Sequence, residues 1–149
     1  MTTEGLWTYR SRPHQPRMKR LSKLHKILHV DDDADISIIA ALALEDVGQF
    51  TLRQCESGQA ALHEAPVFSP DLFLLDYMMP DMDGQETARR LHQIPGLEDV
   101  PVVFMTARVQ AETTISLLET GAIGVIPKPF DPMTLADQLR RFWQNHQTN

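Results

Sequence analysis

The sequence predicts a doubly wound α/β fold: a five-stranded parallel sheet with helices on both faces. Three observations lead there. Short apolar runs alternate five times with segments of helical periodicity. The central run, Leu72 to Leu75, is continuously apolar rather than alternating, as expected of a strand buried on both faces. Polar side chains follow the apolar runs, where the carboxyl ends of parallel strands gather on one edge.

Ile27-Leu28-His29-Val30 forms the first predicted strand and runs into Asp31-Asp32-Asp33. Ile36, Ile39, Ala40, Ala43 and Val47 then recur at helical spacing, with Asp33 as N-cap and Gly48 as stop. Phe50 to Gln54 alternates as a weaker second strand. Ser57 caps a helix expected to end near Ala65, because Pro66 follows. The third strand, Leu72 to Leu75, lies between Pro70 and Pro80 and ends on Asp76. Asp83 caps a helix to about Gln93. Val102 to Met105 is the fourth strand, ending on Thr106-Ala107. A helix follows over about Gln110 to Glu119, stopped by Gly121. Ile123 to Ile126 is a short fifth strand leading to Pro127-Lys128-Pro129. Asp131 caps the last helix, with Pro132 at its first position and an apolar stripe of Leu135, Leu139 and Phe142.

Charge divides the chain. The total is −6, yet residues 1–26 carry seven Lys/Arg against Glu4, about +6, which leaves a body near −12. Residues 1–25 are therefore expected to be a basic, mobile arm and 26–146 the folded domain. An acidic body is a poor general nucleic-acid binder. No apolar stretch is long enough to span a bilayer, and no signal peptide is evident. A single cysteine, Cys55, fits a reducing cytoplasm and reads as packing. The six histidines show no metal-ligand spacing, and His29 is expected to be a satisfied core or edge residue.

The strand ends carry the chemistry. Asp31 and Asp32 follow the first strand, Asp76 the third, Thr106 the fourth and Lys128 the fifth. Any one of these can simply cap a turn; four matching strand ends point to a site. Three close carboxylates repel unless a cation joins them, and their hard oxygens suit Mg²⁺. Asp76 reads as a nucleophile that accepts a phosphoryl group. Lys128 offers a point charge and Thr106 a hydroxyl to phosphoryl oxygens.

With these residues in place, the chain resembles the receiver domain of bacterial two-component response regulators. The matching segments are 27–33, 71–84, 101–107 and 121–132, including Leu-Asp76-x-Met-x-Pro-x-x-x-Gly84 and Lys128-Pro129-Phe130. The resemblance implies a flavodoxin-like sheet in the order 2-1-3-4-5 with five helices. It implies phosphorylation of Asp76 by a histidine kinase or histidine phosphotransfer protein. It implies Mg²⁺ held by Asp32, Asp76 and the Met78 backbone carbonyl, with Asp31 holding a metal water. It also implies a cis Lys128–Pro129 bond and output through the face of the fourth helix, fifth strand and fifth helix, by docking a target or forming a homodimer. Enzymatic turnover is not expected beyond self-catalysed phosphoryl transfer and dephosphorylation. One departure stands out. The aromatic residue often found three positions before the lysine is replaced by Val125, so the usual threonine–aromatic switch cannot operate. Met78 and Arg108 occupy positions that tune dephosphorylation in the family.

Other classes fit less well. A calcium loop at Asp31-x-Asp33-x-Asp35 fails because Ile36 and Leu42 replace the required Gly and Glu. A haloacid-dehalogenase-like phosphatase needs Thr or Val where Asp35 stands, and leaves the Asp76 loop without a role. An unphosphorylated pseudo-receiver is disfavoured by the complete set of site groups. Few residues follow the last predicted helix, so a stand-alone receiver signalling by protein contact is expected.

Overall fold

The structure is a computed structural model and describes residues 22–107 and 110–148. Five parallel strands stand in the order β2-β1-β3-β4-β5. They are β1 (Lys26–Val30), β2 (Thr51–Cys55), β3 (Leu72–Asp76), β4 (Val102–Thr106) and β5 (Gly124–Pro127). The helices are α1 (Ala34–Ala41), α2 (Gly58–Phe68), α3 (Gly84–Leu91), α4 (Ala111–Glu119) and α5 (Leu135–Thr148). Fold class and strand order are as expected.

Every residue of β3 and β4 is buried, and their side chains sort by parity. Leu72, Leu74, Val103 and Met105 join Ile27 and Ile126 in one core, with Leu44 before β2 and Leu135 and Leu139 of α5. Phe73, Leu75, Val102 and Phe104 join Leu28 and Val30 in the other, against Ala61, Ala88, Leu91 and Leu117 of α2, α3 and α4. A strand that feeds two cores has no polar face, which is why its sequence does not alternate.

Three expectations about elements are corrected. The first helix buries only part of the expected stripe, Ala40 and Ala43. After Ala41 it widens into a π-helical segment, Leu42–Val47, where the Gly48 N–H reaches back five residues to the Ala43 carbonyl. More residues per turn shift the phase after Ala41, so Leu44 faces inward and Val47 is exposed, while Ile39, ahead of the change, is also exposed. Pro66 does not end α2. The Ser69 N–H bonds the Ala65 carbonyl at 2.8 Å, carrying the ladder past the proline, and left-handed Ser69 (φ 55°) closes the helix. The expected boundary of the arm also moves. Leu24 is a core residue, and Trp143 Nε1 donates to the Ser22 carbonyl at 3.0 Å. The body therefore begins by residue 22. The rest of the basic arm lies outside the described residues, as does Arg108. Among the described residues, no helix is long and apolar enough to cross a membrane.

Candidate functional site

Strand order reverses at β1, with β2 on one side and β3 on the other. The carboxyl ends of β1 and β3 thus flank an open crevice. Asp31 follows β1 and Asp76 ends β3; both side chains are buried, and Asp32 between them in the cluster is exposed. One carboxylate oxygen from each of Asp31, Asp32 and Asp76 lies within 4.8 Å of the others. Lys128, one residue past β5, bridges two of them: its Nζ is 2.9 Å from Asp31 Oδ2 and 3.1 Å from Asp76 Oδ1. Four of the predicted side chains therefore converge.

Local structure explains the placement. Asp31 Oδ1 accepts the Asp33 N–H at 2.9 Å, which fixes the carboxylate at the strand exit. Asp33 in turn caps α1, accepting from the Asp35 and Ile36 amides. Beyond β3, Pro80 and left-handed Asp81 (φ 69°) turn the chain, and the Gly84 N–H bonds the Tyr77 carbonyl at 2.9 Å. A Cβ on Gly84 would lie 2.3 Å from the Asp76 carbonyl oxygen, so only glycine lets α3 start this close to the site. Met78 follows in the same loop with its side chain exposed, and its N–H donates to the Asp76 carboxylate. Thr106 ends β4, buried, and its carbonyl accepts the Lys128 N–H at 2.8 Å. That bond ties the threonine and lysine segments together. The Lys128–Pro129 peptide is cis, as the resemblance implied.

Burial and the Asp31 charge push the Asp76 carboxyl up to about 6, although Lys128 pulls the other way. Burial opposes the Lys128 charge, but the hydrogen bonds and charges of Asp31 and Asp76 hold its ammonium above the usual value. The cluster is thus two buried carboxylates sharing one cation, an arrangement with unbalanced negative charge. Its donor set, all carboxylate oxygen with one ligand exposed to water, fits a hard divalent ion such as Mg²⁺.

One neighbour was misjudged. His29 is fully buried, two residues before Asp31 on the same face of β1, and it is not satisfied. Its Nδ1 lies 3.1 Å from Gln54 Nε2, which also donates to the Ser37 carbonyl, while its Nε2 has no hydrogen-bond partner. The period of two along a strand was the available signal, since it puts His29 and Asp31 side by side. Val125 stands opposite Phe104 in the β4–β5 register and packs into the core beneath α4. Its neighbourhood does hold a ring, Tyr77, which meets Phe104 edge-on at 6.4 Å between centroids. Cys55 is buried and its thiol is pushed up to about 11, by burial first and the Glu64 charge second, in keeping with a packing role.

A doubly wound sheet with a carboxylate–lysine centre at its switch point is the class of protein these features define. The chain belongs to the response regulator receiver domain family, whose model matches residues 27–140. It is 40% identical over 114 residues to the phosphate regulon transcriptional regulatory protein PhoB of Pseudomonas aeruginosa, covering 76% of this chain and 49% of PhoB. It is 36% identical over 117 residues to the signal transduction histidine-protein kinase BarA of Escherichia coli, covering 78% of this chain and 12% of BarA. The chain thus spans about half or less of these relatives. Among solved structures, the chemotaxis response regulator CheY4 of Vibrio cholerae superimposes with a TM-score of 0.73 at 28% identity, over 80% of this chain and 98% of CheY4.

Proposed function

We propose that this receiver accepts a phosphoryl group on Asp76 from a histidine kinase or histidine phosphotransfer protein and passes the signal on by protein contact. The observation that carries this reading is the ammonium of Lys128 shared between Asp31 and Asp76, beside an exposed Asp32. It leaves one side of the Asp76 carboxylate to attack phosphorus while the lysine is already placed for a phosphoryl oxygen. In the transfer, an Asp76 oxygen forms the new bond to phosphorus and the donor nitrogen leaves with the old bonding pair. Lys128 and the Thr106 hydroxyl stabilise the charge on the transferred oxygens. Asp31, Asp32, Asp76 and the Met78 carbonyl would hold Mg²⁺, which supplies charge neutralisation for the carboxylates and the incoming group. Self-dephosphorylation by water at the same centre belongs to this reading, as does a site of action in the cytoplasm.

Phosphorylation replaces the single charge of Asp76 with an acyl phosphate of about −1.5 to −2, a net gain of up to about one negative charge in a crevice where Lys128 already serves two buried carboxylates. Thr106 and Lys128, joined through the backbone, are the groups that respond, and both lead into the α4–β5–α5 face. Ile115 and Leu118 of α4 are exposed apolar side chains there, suited to a protein target or a second copy. Val125 leaves that response without an aromatic rotor at β5.

The test is labelling with acetyl phosphate and Mg²⁺. One phosphoryl group per chain is expected, with none on Asp76→Asn. Equal labelling of that variant would place the acceptor elsewhere, and continued turnover of a phosphomonoester would favour a phosphatase.

A further inference from the structure

A cavity of about 590 Å³ lies at the other edge of the sheet, beside the starts of β1 and β2 and along the C-terminal half of α5. That volume falls within the roughly 300–1,000 Å³ typical of small-molecule sites. Its floor is apolar and preformed, because Leu24, Phe50 and Trp143 line it and each is buried. Its charged lining has one sign, Lys23 and Arg140, with no carboxylate among the described residues that line it. On a body that carries about −10 from residue 22 onward, a cavity lined by two cations, amides, hydroxyls, the His25 ring and apolar groups is an anomaly. Arg140 is held in place, with its guanidinium 4.4 Å from the Phe50 ring centroid, a hydrogen bond to the Gly48 carbonyl and a loose, exposed ion pair with Asp137 at 3.7 Å outside the cavity lining. Gln147, on the same wall, has a buried Oε1 that accepts no hydrogen bond. An acceptor left in that state is unfavourable until a donor meets it.

The three demands select a ligand. The cations ask for an anion, the Trp143 floor for a flat ring, and Gln147 Oε1 for a ring N–H or amino donor. The chain just ahead of Ser22 contains Arg17, Lys19 and Arg20. Like charge disfavours that leader as the occupant and strengthens the case for an anion. We propose that this cavity binds a purine mononucleotide, with phosphate toward Lys23 and Arg140, the base against Trp143 and its amino or imino group donating to Gln147 Oε1. Inorganic phosphate satisfies the cations alone and a nucleoside satisfies the floor alone. The site is separate from the acidic cluster, so the two readings stand or fall independently.

Calorimetric titration of the full chain in EDTA, which keeps a metal–nucleotide complex off the acidic cluster, provides the test. The probes are AMP, GMP, adenosine and inorganic phosphate. AMP or GMP is expected to bind one per chain, with adenosine and phosphate each at least about tenfold weaker. Lys23→Glu, at an exposed position, and Gln147→Leu should each weaken the nucleotide about tenfold while acetyl phosphate labelling is unchanged. Circular dichroism checks that each variant is folded, with Lys23→Ala as the milder substitute. Absence of binding at millimolar nucleotide, phosphate binding as tightly as nucleotide, or indifference to both substitutions would each overturn the proposal. Binding that appears only after removal of residues 1–21 would mean that the leader is the occupant, and would overturn it too.

Discussion

Asp76 and His29 sit within one cluster yet depend on pH in opposite senses. The Asp76 carboxyl rises to about 6 when folded, against 3.8 as its ordinary value. The native state therefore holds this proton more tightly, and stability is lost as pH rises from near 4 through 6. Without metal, Asp76→Asn should be more stable than the parent at pH 7 by up to about 3 kcal/mol, an advantage that vanishes by pH 4. Urea unfolding in EDTA checks this, and a less stable Asn variant at pH 7 would contradict it. His29 runs the other way. Burial first, then the Lys128 charge, lowers its ring from 6.5 to about 4, with Asp31 opposing. Stability is complete above pH 6.5 and falls as pH drops toward 4, by about 2 kcal/mol between pH 7 and 5. In the Asp76→Asn background, which removes the opposing slope, His29→Leu should flatten that dependence. At this scale Asp31, Asp32, Asp76, Thr106 and Lys128 were legible because each stands where an apolar run ends. The Met78 amide bond to Asp76 and the lone Nε2 of His29 were not, because they depend on how a loop turns and on Gln54, a residue on the neighbouring strand.

Helix α1 shows what periodicity can and cannot convey. A constant angle per residue placed Ala40, Ala43 and Val47 inward; the first two are buried, but the π-helical segment after Ala41 breaks that constancy before Val47, and no local residue announces it. The inward positions went to Ala40, Ala43 and Leu44, two of them small enough to seat the helix close to the sheet. Ile38 and Leu42 were left 63% and 53% exposed, one turn apart and on the helix that starts at the acidic cluster. An apolar patch at that place suits the phosphoryl donor. Leu42→Asp should change stability by no more than about 0.5 kcal/mol, leave acetyl phosphate labelling intact and slow transfer from a protein donor several-fold. Unimpaired transfer from the cognate donor would remove α1 from the contact. Pro66 is the second lesson. A proline removes one donor, and a helix near its end can lose one bond when the next, from Ser69 to Ala65, still forms.

For the molecule as a whole, the alternation of apolar runs and helical segments was enough to specify the doubly wound sheet, because two-sided burial leaves few other solutions. Where the folded body begins was less visible, since a basic, proline-containing stretch looks continuous through Lys26. The packing places the boundary earlier. Leu24 is 7% exposed in the core shared with Phe50 and Trp143, and the Ser22 carbonyl accepts the indole N–H. Burying one leucine is worth roughly 1.5–3 kcal/mol and one hydrogen bond about 1. The Asp71 carboxylate adds to this by accepting both the His25 and Lys26 amides, at 3.0 and 2.8 Å, so the start of β1 is held from two sides. Two truncations therefore separate cleanly. Removing residues 1–21 should leave the urea midpoint and acetyl phosphate labelling close to those of the full chain. Removing residues 1–25 deletes Leu24, both Ser22 and His25 contacts and the cover over Trp143, and should lower stability by about 3 kcal/mol with increased solvent quenching of indole fluorescence. Equal midpoints for the two truncations would return the boundary to residue 26.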